Sequence, residues 1–285
     1  MTRVALVTGG GTGIGAAAAR RLAADGYAVA VTGRRPGPIE EVAAEVGGLA
    51  IVADTGVEAD ATRAVAETVD RFGGLDALVV NAGIGGSGNL LELDPDTFES
   101  VLRVNVTGAF LMARAAISHL LERRGAIVTV SSVSGLRAST DSLAYCSSKA
   151  ALAMLTQCIA VDHGPAGVRA NCLCPGWVRT PMADRAMDLL AERRGSSRED
   201  AYMAATADAP LRRPSSPEEI AGAIAWLLSE DASYLNGAVI PLDGGVSIVD
   251  AGAHVFEEVR WATASPWPAS RSRRTTSSAA SASPA

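Results

Sequence analysis

Lysine is almost missing from this sequence. Of 25 basic residues one is a lysine, Lys149, and arginine fills every other basic position. Arginine cannot reproduce a compact, rotatable ammonium with three donors, so the lone lysine points to chemistry rather than to surface charge. Aromatic residues make up only 4% of the chain, which leaves an aliphatic core and suits helices packed closely on a parallel sheet. Three scattered histidines and four cysteines (Cys146, Cys158, Cys172, Cys174) lack metal-ligand spacing, so no metal site is expected. The thiols are expected to be reduced and packed as small hydrophobes. No run of about 18 consecutive apolar residues is present, and Met1-Thr2-Arg3-Val4 leads straight into a strand-like segment. A cytoplasmic protein with no membrane span is therefore expected. The formal charge of -6 offers no electrostatic footprint for nucleic acid.

What is present is an alternation of short apolar runs with helical segments. Val4-Ala5-Leu6-Val7 reads as a buried parallel strand, breaks into Thr8-Gly9-Gly10-Gly11-Thr12-Gly13-Ile14-Gly15, and continues as the alanine-rich helix 16–25. Strand, glycine turn and helix are the setting of a dinucleotide site: the glycines let backbone approach a pyrophosphate, and the helix N-terminus offers free N–H groups. A second strand, 27–32, is followed by Gly33-Arg34-Arg35. An acid there would grip the adenosine ribose and repel a 2′-phosphate. Two guanidiniums instead favour that phosphate, so NADP(H) is expected ahead of NAD(H), with Arg34 as a contact. Helix 39–46 and strand 49–53 lead to Asp54-Thr55, at the ligand edge of such a sheet, where Asp54 is placed to accept from the adenine amino group. Helix 59–72 and strand 75–80 lead to Asn81-Ala82-Gly83, small residues over which a cofactor can lie. Four such alternations set an α/β fold with an open parallel sheet.

A long helical pattern, 95–123, carries Asn105 and Gly108 in its interior, where both are unfavourable. A kink or a freed backbone carbonyl is expected there. Strand 125–130 closes with Ser131-Ser132. Tyr145 and Lys149 follow on a helix spanning 143–163, one turn apart on one face. A cation so placed favours phenolate, which makes the tyrosine an acid or base near neutral pH. Strand 168–174 ends in Pro175-Gly176-Trp177-Val178-Arg179-Thr180.

Taken together, Thr8-Gly9…Gly13-x-Gly15, Asn81-Ala82-Gly83, Asn105, Ser132, Tyr145…Lys149 and Pro175-Gly176…Thr180 resemble the motifs of the short-chain dehydrogenase/reductase family, in order and spacing. The resemblance covers residues 4 to about 250. It implies a three-layer Rossmann fold with a seven-stranded sheet of order 3-2-1-4-5-6-7, its last strand at 238–242. It also implies a catalytic set of Asn105, Ser132, Tyr145 and Lys149, interconverting a ketone and a secondary alcohol. Tyr145 is expected to be the acid/base, with its pKa lowered by Lys149 and by the oxidised nicotinamide. Ser132 would bind the substrate oxygen, Lys149 the nicotinamide ribose, and the Asn105 backbone a proton-supplying water. Cofactor contacts are expected from Gly9, Gly11, Thr12, Gly13, Ile14, Gly15, Arg34, Asp54, Thr55, Asn81, Ala82, Gly83, Tyr145, Lys149, Pro175, Gly176, Val178 and Thr180.

Substrate choice is expected to lie in residues 181–213, with helices near 183–194 and 199–207 and a lid-like length. Met182, Met187, Tyr202 and Met203, with Trp177 and Leu136, are candidates for an apolar cleft or, taken singly, for ordinary core. A carrier-protein substrate, an NAD-dependent alcohol dehydrogenase and a cofactor-sensing regulator without catalysis are the alternatives. Gly164-Pro165-Ala166-Gly167 lacks the cation an acidic carrier would seek. The apolar character of helix 143–163 and of the long helix before it points to a homotetramer or dimer, as in relatives. Residues 251–285 carry a charge of +2, leaving -8 for residues 1–250. Their Ser/Ala-rich, low-complexity composition reads as a disordered tail.

Overall fold

A computed structural model describes residues 2–250, so the expected disorder of 251–285 lies outside the described residues. Seven parallel strands lie in the order β3-β2-β1-β4-β5-β6-β7. They are β1 (Val4–Thr8), β2 (Ala28–Gly33), β3 (Leu49–Val52), β4 (Ala77–Val80), β5 (Ala126–Val130), β6 (Arg169–Pro175) and β7 (Val239–Leu242). Register runs without a bulge through the centre, Val7 opposite both Val31 and Val79, and Val79 opposite Val128.

Strand alternation sends side chains to two separate cores. On one face Val7, Val31, Val79 and Val128 meet α1 (Gly13–Ala24), α2 (Pro36–Val46) and α9 (Pro217–Leu228). On the other, Leu6, Ala30, Leu78 and Ile127 meet α3 (Glu58–Phe72), α5 (Gly108–Arg123) and α6 (Leu143–His163). Helix ends follow local chemistry. Pro36 opens α2, and Gly47 and Gly73 take left-handed φ of 62° and 82° to close α2 and α3. Glu58 and Asp60 sit in the first turn of α3, where carboxylates meet the positive end of the dipole.

The sequence reading named no helix between 213 and 238, yet α9 is central to the first core. Ser216 and Glu219 form a reciprocal capping box with Pro217 at the first helical position. Ile220, Ile224 and Leu227 then pack on the buried alanine face of α1. The expected break near Asn105 is a π-turn, Arg103–Thr107, between α4 (Pro95–Leu102) and α5. Pro95–Arg123 as a whole is apolar and long enough to cross a membrane by composition, but half of its most apolar window is buried inside the protein. It is a core helix.

The segment after β6 is a helical hairpin, α7 (Pro181–Arg194) and α8 (Arg198–Ala205), turned at Gly195 in the left-handed region. It has an interior of its own built from Ala183, Met187, Ala191, Ala201 and Tyr202. Of the two readings open for them, cleft or core, Met187 and Tyr202 belong to core. The Tyr202 hydroxyl donates to Asp184 at 2.8 Å, and Arg179 stacks 4.8 Å from its ring centroid while forking onto Glu199. Two amphipathic helices have more to gain by burying these side chains against each other than by offering them to solvent.

Candidate active site

The C-terminal ends of β1, β4 and β5 open into a cleft. It has two chambers of about 210 and 200 Å³ that share Gly9, Thr12, Ala82 and Gly83. The glycine turn forms its floor. Gly9 and Gly13 have φ of +64° and +54°, which a side chain would oppose. A Cβ on Gly15 would lie 2.2 Å from the Gly9 carbonyl oxygen, so Gly15 lets α1 close on the turn rather than touch a ligand. Thr8 is the hub that the sequence reading passed over. Its Oγ1 accepts from the N–H of both Asn81 and Ala82, at 2.9 and 3.0 Å, and donates to Val79 O. Asn81 returns its side-chain amide to Thr8 O and Gly9 O, so the Asn81-Ala82-Gly83 run braces the turn as well as lining the cleft. Thr12, the N-cap of α1, makes no side-chain cap, and no acid lies in the first turn. The N–H groups there suit an anion.

At the wide end lie Gly11, Gly33, Arg34, Arg35, Pro38, Ile39, Asp54, Thr55 and Val104. Asp54 accepts from Gly56 N at 2.9 Å and faces Arg103 at 3.7 Å. With two guanidiniums beside the tip of β2, this end fits a phosphorylated ribose. Arg35, Pro38 and Ile39 join the site here; the first residues of α2 could have been read from Pro36 as a helix start beside the arginines.

Ile14, Asn81, Val130, Ser131, Tyr145, Lys149, Thr180, Pro181 and Met182 line the other chamber. Tyr145 and Lys149 leave α6 together, as their spacing requires, with the ammonium 5.6 Å from the phenol ring centroid. Lys149 is 4% exposed and donates to Val130 O at 2.9 Å. Ser132, at the end of β5, is hydrogen-bonded to Tyr145 and accepts from Ser134 N at 3.1 Å. Asn105 is buried in the π-turn. Its Oδ1 accepts from Ile84 N at 2.8 Å, and its Nδ2 donates to Ile84 O and to Ser148 Oγ, each at 2.9 Å. Ser148 in turn donates to Tyr145 O at 2.8 Å. The side chain of Asn105 thus ties the loop after β4 to the catalytic helix; Ser148, one residue before the lysine, was missed as its partner.

Two expectations need correction. Burial raises the Tyr145 phenol above its ordinary value, with the Ser132 hydrogen bond acting the other way, and Lys149 does not bring it down. The ammonium is aimed at a carbonyl, and burial lowers its own pKa to about 8. The run after β6 also departs from expectation. Pro175, Gly176 and Val178 line neither chamber. Gly176 N is committed to Leu242 O at 3.1 Å, and Val178 is buried in the α1/α9 core. Thr180 does reach the cleft, while its Oγ1 caps α7 by accepting from Ala183 N at 3.2 Å. Cys172 and Cys174 are buried as expected, whereas Cys158 is exposed.

Comparison with known proteins agrees with this geometry. A family model described as enoyl-(acyl carrier protein) reductase matches residues 9–247. Protein MoaE of Klebsiella aerogenes is 41% identical over 90% of this chain and 100% of its own length. Meso-2,3-butanediol dehydrogenase of Serratia marcescens is 35% identical over 87% of this chain and 96% of its own. The crystal structure of a variant of actinorhodin polyketide ketoreductase with NADPH superposes with a TM-score of 0.83 at 30% identity, covering 87% of this chain and 98% of that one. Seven parallel strands in this order, a braced glycine turn and the Ser132/Tyr145/Lys149 cluster, together with these matches, make the chain a member of the short-chain dehydrogenase/reductase family.

Proposed function

We propose that this protein is an NAD(P)(H)-dependent oxidoreductase interconverting a ketone and a secondary alcohol, with NADPH preferred. The observation that carries the reading is the placement of Tyr145 and Lys149 on the cleft floored by the glycine turn, with Ser132 hydrogen-bonded to Tyr145 behind them. When bound, the nicotinamide supplies a hydride to the carbonyl carbon or takes one from the carbinol. The protein's part is proton and charge management. The Tyr145 hydroxyl, which burial keeps protonated, gives its proton to the oxygen of the substrate as negative charge develops there. Ser132 Oγ donates a hydrogen bond to the same oxygen and fixes it within reach of Tyr145. The Lys149 ammonium lies 5.6 Å from the ring centroid of the phenolate left behind and is held there by Val130 O. Asn105 holds Ile84 and Ser148 so that α6 and the loop after β4 keep their spacing. Arg34 and Arg35 would take the 2′-phosphate, and Asp54 the adenine amino group.

Met182 lines the catalytic chamber and stands half-exposed, which suits a free ketone of modest size better than an acidic carrier protein. Phe110, Met154 and Val161 expose apolar surface on α5 and α6, and a homotetramer built on these helices, working in the cytoplasm, is part of the reading. A panel of ketones and secondary alcohols with NADPH and with NADH, scored by nicotinamide absorbance, is the test. Turnover with no member of the panel, or turnover that survives Tyr145→Phe, refutes it.

A further inference from the structure

The chain enters and leaves the α7/α8 hairpin through two segments bonded to each other. Trp177 O accepts from Ser215 N at 2.9 Å and Ser215 O from Arg179 N at 3.0 Å, with Val178 and Ser215 paired as a parallel bridge. Beyond this root the entering segment becomes a wall of the site. Thr180, Pro181 and Met182 line the chamber that holds Tyr145 and Lys149. A Cβ built on Gly13 would lie 3.0 Å from Thr180 Cγ2 and 3.8 Å from Pro181 Cδ, so the wall stands against the glycine turn where α1 begins. Pro181 is exposed and Met182 is 40% exposed, so burial in a core does not fix the wall. Its place depends on how the hairpin is held to the root.

Arg179, the residue before the wall, turns its side chain to the hairpin. Nη1 and Nη2 donate to the two carboxylate oxygens of Glu199 at 2.8 and 2.7 Å, and the guanidinium stands 4.8 Å from the ring centroid of Tyr202. Both partners are on α8. Tyr202 is fully buried and passes the contact on, its hydroxyl donating at 2.8 Å to Asp184 in the first turn of α7, two residues beyond Met182. A circuit of contacts thus runs from the root through α8 to the first turn of α7 and back to the wall. An exposed ion pair alone would hold little. A planar fork with two matched donors, laid on a buried ring, fixes direction as well as distance. The fork of Arg198 onto Asp188 stays within the hairpin and does not reach the root.

We propose that Arg179 is a positioning residue for the cofactor: through Glu199 and Tyr202 it holds the hairpin so that Thr180, Pro181 and Met182 stand against the glycine turn. The assignment builds on the oxidoreductase reading above, but the hold itself can be measured with no cofactor present.

Amide exchange of the cofactor-free protein reads the hold. Arg179→Ala should speed exchange over α7 and α8 by on the order of tenfold, the combined worth of the fork and the stack, and leave α6 unchanged. The Kd for NADPH, from a fluorescence titration, should rise by up to about tenfold. Glu199→Gln, which keeps the stack on Tyr202, should raise it about threefold and stands in if Arg179→Ala does not fold. Arg179→Lys, with the charge but not the fork, should recover only part of the loss. At saturating NADPH kcat should not fall, because Ser132, Tyr145 and Lys149 stand at the end of β5 and on α6; a merely structural defect would lower kcat with the affinity. Arg198→Ala should leave the Kd within about twofold of wild type. A Kd unmoved by Arg179→Ala, full recovery with lysine, or an equal loss in Arg198→Ala overturns the proposal. A wild type that binds neither NADPH nor NADH overturns the oxidoreductase reading instead, and amide exchange then decides the hold of Arg179 on the hairpin alone.

Discussion

Replacing Lys149 with methionine is expected to remove activity and to make the protein more stable. The ammonium is 4% exposed, and burial brings its pKa from 10.5 to about 8. That gap of about 2.5 pH units corresponds to about 3 kcal/mol of free energy spent in holding the charge inside the fold. Methionine fills similar space without a charge. Below pH 8 both native and unfolded wild type carry the proton and the whole penalty is felt. Between about 8 and 10.5 the native lysine is neutral while the unfolded one is still charged, so the unfolded state binds more protons and wild-type stability rises with pH. The variant has no such slope from this position. Urea unfolding at pH 7 should favour Lys149→Met by up to about 3 kcal/mol, or about 6–12 °C in Tm for a domain of this size. The advantage should shrink steadily toward pH 10. An advantage equal at both pH values, or a variant less stable than wild type at pH 7, would show that the buried charge is not what limits stability here.

Other substitutions test the remaining parts of the site. Tyr145→Phe should lower turnover by at least about 100-fold while a fluorescence titration still detects NADPH binding. Arg34→Asp should move the preference toward NADH; an unaltered ratio of kcat/KM for the two cofactors would place the 2′-phosphate elsewhere. Gly15→Ala brings a methyl group to 2.2 Å from the Gly9 carbonyl oxygen, so the turn must shift, and NADPH affinity should fall more than tenfold even where the fold survives. Unchanged affinity would show that the turn does not set the phosphate geometry.

The strands were legible because parallel strands buried on both faces leave plain apolar runs, while their order came from the resemblance of the motifs to the family and not from the runs. Helix α6 was read to its observed bounds, Leu143–His163. The misfit of Asn105 and Gly108 in a helical pattern marked a break there, and the structure makes it a π-turn. Helix α9 carries a complete start signal in Ser216-Pro217-Glu218-Glu219, but no catalytic or cofactor motif lies on it, and its role shows only in the core it shares with α1. Other failures are of a different kind. Spacing gives the separation of Tyr145 and Lys149 along a helix, but not where each side chain points or how dry its surroundings are. Burial, which raises the phenol and lowers the ammonium, is a property of the closed molecule. Nor can a sequence tell whether the apolar residues of α7 and α8 face a ligand or each other; Met187 and Tyr202 face each other.

That inward-facing pair of helices bears on how this protein can change. Because the hairpin satisfies its own apolar side chains and ion pairs, with Arg198 forking onto Asp188 across it, it resembles an insertable cassette joined to the sheet at its two ends. Lengthening it or exchanging it for another hairpin would leave the seven strands and the proton-handling side chains undisturbed, so new substrates are most readily acquired by swapping this one segment.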